Sequence, residues 1–439
     1  MAEERNFSLL LSGDSMITRG ALKTTDEPTQ ALRDLVRNAD LAYTNLEVLP
    51  NDFRGYPGAD TGGTHLAARS GVVDELIDIG FDMVSAATNH ALDYHIEGLL
   101  ATMEVLEQKG LPYAGLGRNL DDARMPVYLD HAAGVLALLS CCATFSSGQQ
   151  AGEQNTQMQG RPGLNPLRYD RVFEITDEEM AVLRRIAEET GIDAVRRENI
   201  QLGFGFPPDD PEIFPFLGNN FRVAGTSGVQ TQPRAVDSDA IAKWVHEARA
   251  RADFVLMSFH AHEEGGNVEE PAAFLPTFAH RMIDEGADLV VGTGPHLLRG
   301  MEMYNGKPIF YSLGNFIALN HLVHKLPADA YNRFRVEQGK TPSELFAARE
   351  QHGKIGFSAD PRYWESVVPL CQYDGTTLRR LELIPIALGY GEPAFRRGLP
   401  HLAQGEPGNA ILRRFAALSE PYGTRIRIDG DRAEVELGA

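Results

Sequence analysis

Short apolar runs that end in polar residues, spaced by amphipathic stretches, constrain this chain more than any other feature. Phe7–Ser12 runs into Gly13-Asp14, Leu41–Leu46 carries Asn45 and leads to Glu47, and Met83–Ala86 leads to Asn89-His90. Later, Phe254–Phe259 ends at His260-Ala261-His262, and Leu289–Val291 leads to His296. Between these runs, Ala31–Arg37, Val72–Ile79, Ile96–Lys109, Ala240–Ala250 and Phe274–Glu285 have helical spacing. Strand-like runs alternating with amphipathic helices predict an α/β fold with a layered sheet core. In such folds ligands bind beyond the carboxyl ends of the strands. Five strand ends offering Asp, Glu, Asn and His therefore predict one converging site.

The rhythm breaks over residues 146–232, where Gly, Gln and Asn accumulate around one amphipathic helix and the Pro-rich run Phe206–Pro211. This stretch reads as an insertion, a lid over the site. Beyond Asn320 a polar section leads to paired strands around Asp374-Gly375, then a helix and a final hairpin. The expected division is a catalytic core over residues 1–320, carrying the insertion, and a C-terminal extension over residues 321–439 packed on it.

Charge narrows the partners. A formal net charge of −20 repels phosphate backbones, so nucleic acid is not expected, and a neutral or basic substrate such as a peptide suits the field better. No stretch approaches the ~20 apolar residues of a membrane span. The lead Met1–Asn6 is not basic, and the apolar run after it is too short for a secretion signal. Three cysteines without framework spacing suit reduced thiols. Together these lead to the expectation of a cytoplasmic protein.

The motifs then resemble one family. Gly13-Asp14-Ser15-Met16 resembles the opening Gly-Asp-x-Met of the CapA, or poly-γ-glutamate-synthesis, family. Asp40 through Asn45-Leu46-Glu47 and Asn89-His90-Ala91-Leu92-Asp93-Tyr94 resemble its next two elements. Gly286-Ala287-Asp288 through Gly294-Pro295-His296, and Tyr311-Ser312-Leu313-Gly314-Asn315-Phe316, resemble its last two. The resemblance implies a metallophosphatase-like (calcineurin-like) sheet sandwich flanked by helices. Three positions depart from the pattern. Thr293 stands where the family has the first histidine of Gly-His-x-Pro-His, and His260-Ala261-His262 replaces His-Trp-Gly. Ser12 stands where the Asp-x-His of metallophosphatases begins.

The missing histidine and the expected compartment point to chemistry without metal or cofactor. The family includes intracellular epimerases of ribosomally made (RiPP) lasso-peptide precursors, so the expected activity is an isomerase inverting a peptide Cα. In that expectation Asp14 and His296 flank the carbon, and Glu47 and His90 orient them. Asn89 or His260 steadies the enolate. Asn45, His262 and Asn315 contact substrate. The first alternative is a metal-dependent phosphoesterase or amide hydrolase of capsule or poly-γ-glutamate biosynthesis. It would hold one or two divalent ions, Mn or Zn, through Asp14, Asn89, His260 and His296. The second is a peptide-binding protein without catalysis.

Overall fold

The computed structural model describes residues 6–20 and 26–437. The lead Met1–Arg5 lies outside the described residues. Two sheets pack face to face. The first runs in the order Ile426–Asp429, Arg432–Val435, Thr377–Ala387, Glu365–Asp374, Asn6–Met16, Leu41–Leu46, Met83–Ser85, Tyr113–Ala114. The second runs in the order Leu298–Tyr304, Lys307–Leu313, Leu289–Thr293, Phe254–His260, Gly134–Cys142, Val127–His131.

Period-two alternation explains the sandwich. Leu9, Leu11, Leu41, Tyr43 and Met83 point inward and meet Leu136, Leu138, Phe254, Leu256, Leu289 and Val291 of the second sheet. Their neighbours Leu10, Ala42 and Val84 point outward onto Leu32, Val36, Val72 and Leu76 of the helices Glu27–Asn38 and Gly71–Ile79. On the far side Val255, Met257, Phe259 and Val290 pack on Ile241, Val245, Phe274 and Phe278 of the helices Ala235–Arg249 and Phe274–Asp284. The continuous apolar runs are thus strands buried on both faces, and the α/β sandwich flanked by helices stands as expected. The Tyr43 hydroxyl ties the sheets together, hydrogen-bonded to Ser85 Oγ at 2.6 Å and Ser258 Oγ at 2.7 Å.

The first strand is longer than the sequence suggests. It continues through Gly13-Asp14 to Met16 because Asn315–Ala318 pairs alongside it in parallel. Gly13 permits this approach: a Cβ there would lie 1.9 Å from the Gly314 carbonyl oxygen. That oxygen accepts the Asp14 N–H at 2.9 Å. Gly13→Ala must push the two strands apart. We expect it to destabilise the protein by about 1–3 kcal/mol, read as a lower unfolding midpoint. An unchanged midpoint would mean that this crossing is slack.

Residues 146–232 contain more order than their composition predicts. Phe214–Phe216, Asn219–Val223, Tyr169–Ile175 and Gly228–Pro233 form a four-stranded sheet in that order. The helix Asp177–Glu189 starts in a capping box of Thr176 and Glu179, and a second helix covers Ile192–Gln201. Buried Asp237 anchors this unit, accepting hydrogen bonds from Arg124 at 3.0 Å and from Arg168 Nε at 2.7 Å. Among the described residues no helix is long and apolar enough to cross a membrane.

Candidate functional site

Strand ends from both sheets meet on one rim, and the pairing registers bring their polar residues together. Asp14 pairs with both Asn45 and Asn315, and His260 pairs with Thr293. Glu47 follows Leu41–Leu46 by one residue, Asn89-His90 follow Met83–Ser85, and His296 follows Leu289–Thr293. His296 adopts a φ of 63°, a left-handed backbone that non-glycine residues enter only when their surroundings impose it. Asn315 is that surrounding. Its Nδ2 donates to the carbonyls of His296 (3.1 Å) and Tyr363 (3.0 Å), so its Oδ1 is left to accept from His296 Nδ1 at 3.0 Å. The Nδ1 of His296 therefore carries the proton and its Nε2 is a lone-pair donor.

Glu47 stands at the centre. It is fully buried, and neither carboxylate oxygen has a hydrogen-bond partner among the described residues. His262 Nε2 is likewise buried and unpartnered. A buried carboxylate left without donors carries a large desolvation penalty unless a cation compensates it. Around it, nitrogen and oxygen atoms stand too far apart for hydrogen bonds: His260 Nε2 and His296 Nδ1 each lie 3.6 Å from Glu47 oxygens. His296 Nδ1 is also 3.6 Å from Asp14 Oδ2, and His260 Nδ1 is 3.8 Å from Asp14 Oδ1.

Two triads have one ligand atom from each member within 4.8 Å of one another: Asp14, Glu47 and His260, and Glu47, His262 and His296. Glu47 belongs to both. Burial sets the proton states of these groups. Burial lifts the Asp14 carboxyl to about 7, against hydrogen bonds from Gly294 and Asn45. Burial, then the charges of Asp14 and Asp93, push Glu47 well above the carboxylate range. Burial lowers His296 to about 4 and, with neighbouring histidines, puts His260 and His262 well below their ordinary value. The imidazoles are thus neutral, the form that binds metal, and the buried carboxylates need a cation to ionise. On these grounds the donor set fits a divalent transition ion.

This overturns the expected chemistry. The reading as a metal- and cofactor-independent epimerase of a lasso-type peptide rested on the histidine lost at Thr293. The clustered carboxylates and imidazoles support a metal-dependent hydrolase instead. Thr293 does leave a gap, filled by its hydroxyl at 3.1 Å from His260 Nδ1. Yet Glu47 and His262, assigned from sequence to orientation and substrate contact, restore the number of donors. The expectations of isomerase chemistry and of no cofactor are corrected with it.

The remaining residues surround this cluster. Asn45 Nδ2 donates to Asp14 Oδ1 at 2.8 Å, and its Oδ1 accepts from Ser85 at 2.6 Å. Asn89 Oδ1 lies 3.0 Å from His260 Nε2. His90 Nε2 faces Glu47 at 3.8 Å, while its Nδ1 is 2.7 Å from Asp93 Oδ2. Asp93 is itself fixed by the Leu66 N–H at 2.7 Å and by the Thr61 hydroxyl. Sequence reasoning placed Asp93 in a family motif but gave it no role at the site, although its i+3 spacing from His90 was the available signal. Asn89, His90, His262 and His296 line a cavity of about 280 Å³, together with Phe357 and Tyr363.

Residues 8–320 match the family model described as bacterial capsule synthesis protein PGA_cap. Two proteins of Sinorhizobium fredii (strain NBRC 101917 / NGR234), Uncharacterized protein y4uA and Uncharacterized protein y4sH, are each 34% identical over 433 residues. Those alignments cover 96% of this chain and 91% of each relative. The PGA biosynthesis protein CapA of Bacillus subtilis (strain 168) is 26% identical over 310 residues, 70% of this chain and 61% of that protein. With its sandwich, its rim of strand-end ligands and a match spanning most of the chain, this protein belongs to the bacterial capsule synthesis (PGA_cap, CapA) family.

Proposed function

We propose that this protein is a metal-dependent hydrolase of a phosphoester or amide bond. The observation that carries the reading is the buried, unpartnered Glu47 shared between two ligand triads. Asp14, Glu47, His260, His262 and His296 would hold the metal, with Asn89 beside them. A divalent ion bound there supplies Lewis acidity and a nucleophile ionised at neutral pH.

The chain's own residues do the rest. Asn315 holds His296 in a strained backbone and presents its Nε2. Asn45 and the Gly294 N–H (3.0 Å) orient the Asp14 carboxylate. Asp93 holds the Nδ1 proton of His90, which leaves the Nε2 lone pair facing the cavity to take the proton of the attacking water and then return it to the departing oxygen or nitrogen. Phe357 packs edge-on against His296, with ring centres 5.3 Å apart, and shields the site from water. The unit over residues 146–232 acts in this reading as the lid of a core over residues 1–320.

Names of relatives add direction. The Bacillus subtilis relative is named for PGA biosynthesis and a Bacillus anthracis relative for capsule biosynthesis. A role in the making or trimming of such a polymer accords with them, with the bond attacked being an amide. Elemental analysis paired with hydrolysis of p-nitrophenyl phosphate and of a γ-glutamyl amide tests the reading. Chelation should lower the rate on one of them more than ~100-fold, and Mn²⁺ or Zn²⁺ should restore it. Full activity in protein shown to hold no metal would sink the proposal.

A further inference from the structure

The chain carries 61 acidic against 41 basic side chains, yet at the mouth of the site the balance reverses. Arg349, the last residue of the helix Pro342–Arg349, lines the cavity. Its Nη1 donates to Thr64 Oγ1 at 2.7 Å, and its guanidinium lies 4.5 Å from the centre of the Phe334 ring. Arg333 approaches the same ring at 5.9 Å and donates to the carbonyls of Thr61 (3.2 Å) and Gly63 (3.4 Å). Two like charges thus share one ring and brace one loop, residues 61–64, whose Gly62, Gly63 and Thr64 form the cavity wall.

Neither guanidinium forms an ion pair among the described residues. Glu350, next in the chain, lies 3.9 Å from Arg397. The acidic residue lining this cavity, Glu264, contributes its field to buried Arg299, whose donors go to the carbonyls of His262, Glu263 and Val268. Burial disfavours the cationic form of Arg349, Glu350 opposes this, and the charge of Arg333 adds the smallest push against it. Arg349, partly buried beside exposed Arg333 and without an ion pair among the described residues, is stabilised when an anion arrives. The planar fork of arginine, already oriented by Thr64 and the ring, suits carboxylate or phosphate oxygens.

We propose that Arg349, supported by Arg333, forms an anion-recognition subsite at the cavity mouth that takes a carboxylate or phosphate group of the substrate away from the bond being cleaved. The word substrate rests on the hydrolase reading; the subsite itself does not. Arg349 lies outside the segment matched by the family model, so it sorts substrates by a feature of this chain's C-terminal part. It also replaces the expectation, drawn from net charge, of a neutral or basic ligand.

Calorimetry with inorganic phosphate and with glutarate tests this on the full-length chain, as purified and after chelation, so that binding at a metal is told apart. One of the two anions should bind in both forms, and which one assigns the source of the charge. Arg349→Gln should weaken that binding about tenfold or more, Arg349→Lys less, and Arg333→Gln severalfold. Melting curves verify folding, and should Arg349→Gln fail to fold, the lysine variant and Arg333→Gln carry the comparison. Wild-type affinity in the variants, or no binding of either anion by the wild type, overturns the subsite. A loaded enzyme that hydrolyses nothing would instead overturn the hydrolase reading and leave the subsite standing.

Discussion

Glu47→Gln will leave this protein folded while removing its capacity for divalent metal. Both oxygens of Glu47 are buried without a hydrogen-bond partner among the described residues, so in metal-free protein the carboxyl is a liability. Without metal, burial already holds the Glu47 carboxyl protonated, so an amide of the same shape exchanges one uncharged group for another and keeps the volume. The metal-free variant should therefore melt close to the metal-free wild type. With metal the two separate. Ligand binding to the native state raises the wild-type midpoint, and the variant should gain little. Because Glu47 is shared by both triads, loss of metal affinity should exceed ~100-fold, beyond the 10–100-fold seen when only a supporting partner is lost. Activity should fall with it. A variant that binds metal as the wild type does would remove Glu47 from the centre.

His90→Gln should separate catalysis from metal binding. His90 lies outside both triads, and Asp93 fixes its Nδ1 at 2.7 Å. If Nε2 delivers the proton to the leaving group, the rate should drop ~10²–10⁴-fold with metal content unchanged. Asp93→Asn should cost less, since the imidazole remains and loses only its orientation. A metal-depleted His90→Gln would make His90 a ligand instead, and an unaffected rate would place proton delivery elsewhere.

Local pattern made much of the fold legible. Leu9-Leu10-Leu11, Val255-Leu256-Met257 and Leu289-Val290-Val291 are buried on both faces, and only strands sandwiched between layers need that. The polar residue closing each run marked the rim, because a buried strand cannot tolerate such a residue earlier. Order within residues 146–232 was not legible. Tyr169–Ile175 and Gly228–Pro233 are partly exposed, and their pairing partners lie far along the chain, so neither burial nor local turn chemistry announced them.

The sequence by itself determined the layered sandwich, the family motifs and the set of residues at the strand ends, because each follows from periodicity or from a short contiguous pattern. It could not determine what those residues do together. Thr293 looked like the loss of a metal site when only neighbours in the chain were compared. In space, Glu47 from one sheet and His262 from the other join the cluster, and both keep buried atoms free of hydrogen bonds. Donor geometry is a property of distances between strands of different sheets, and desolvation is a property of everything packed around them. Only the tertiary structure sets either, and here it gathers carboxylates and imidazoles into groups that could hold a metal.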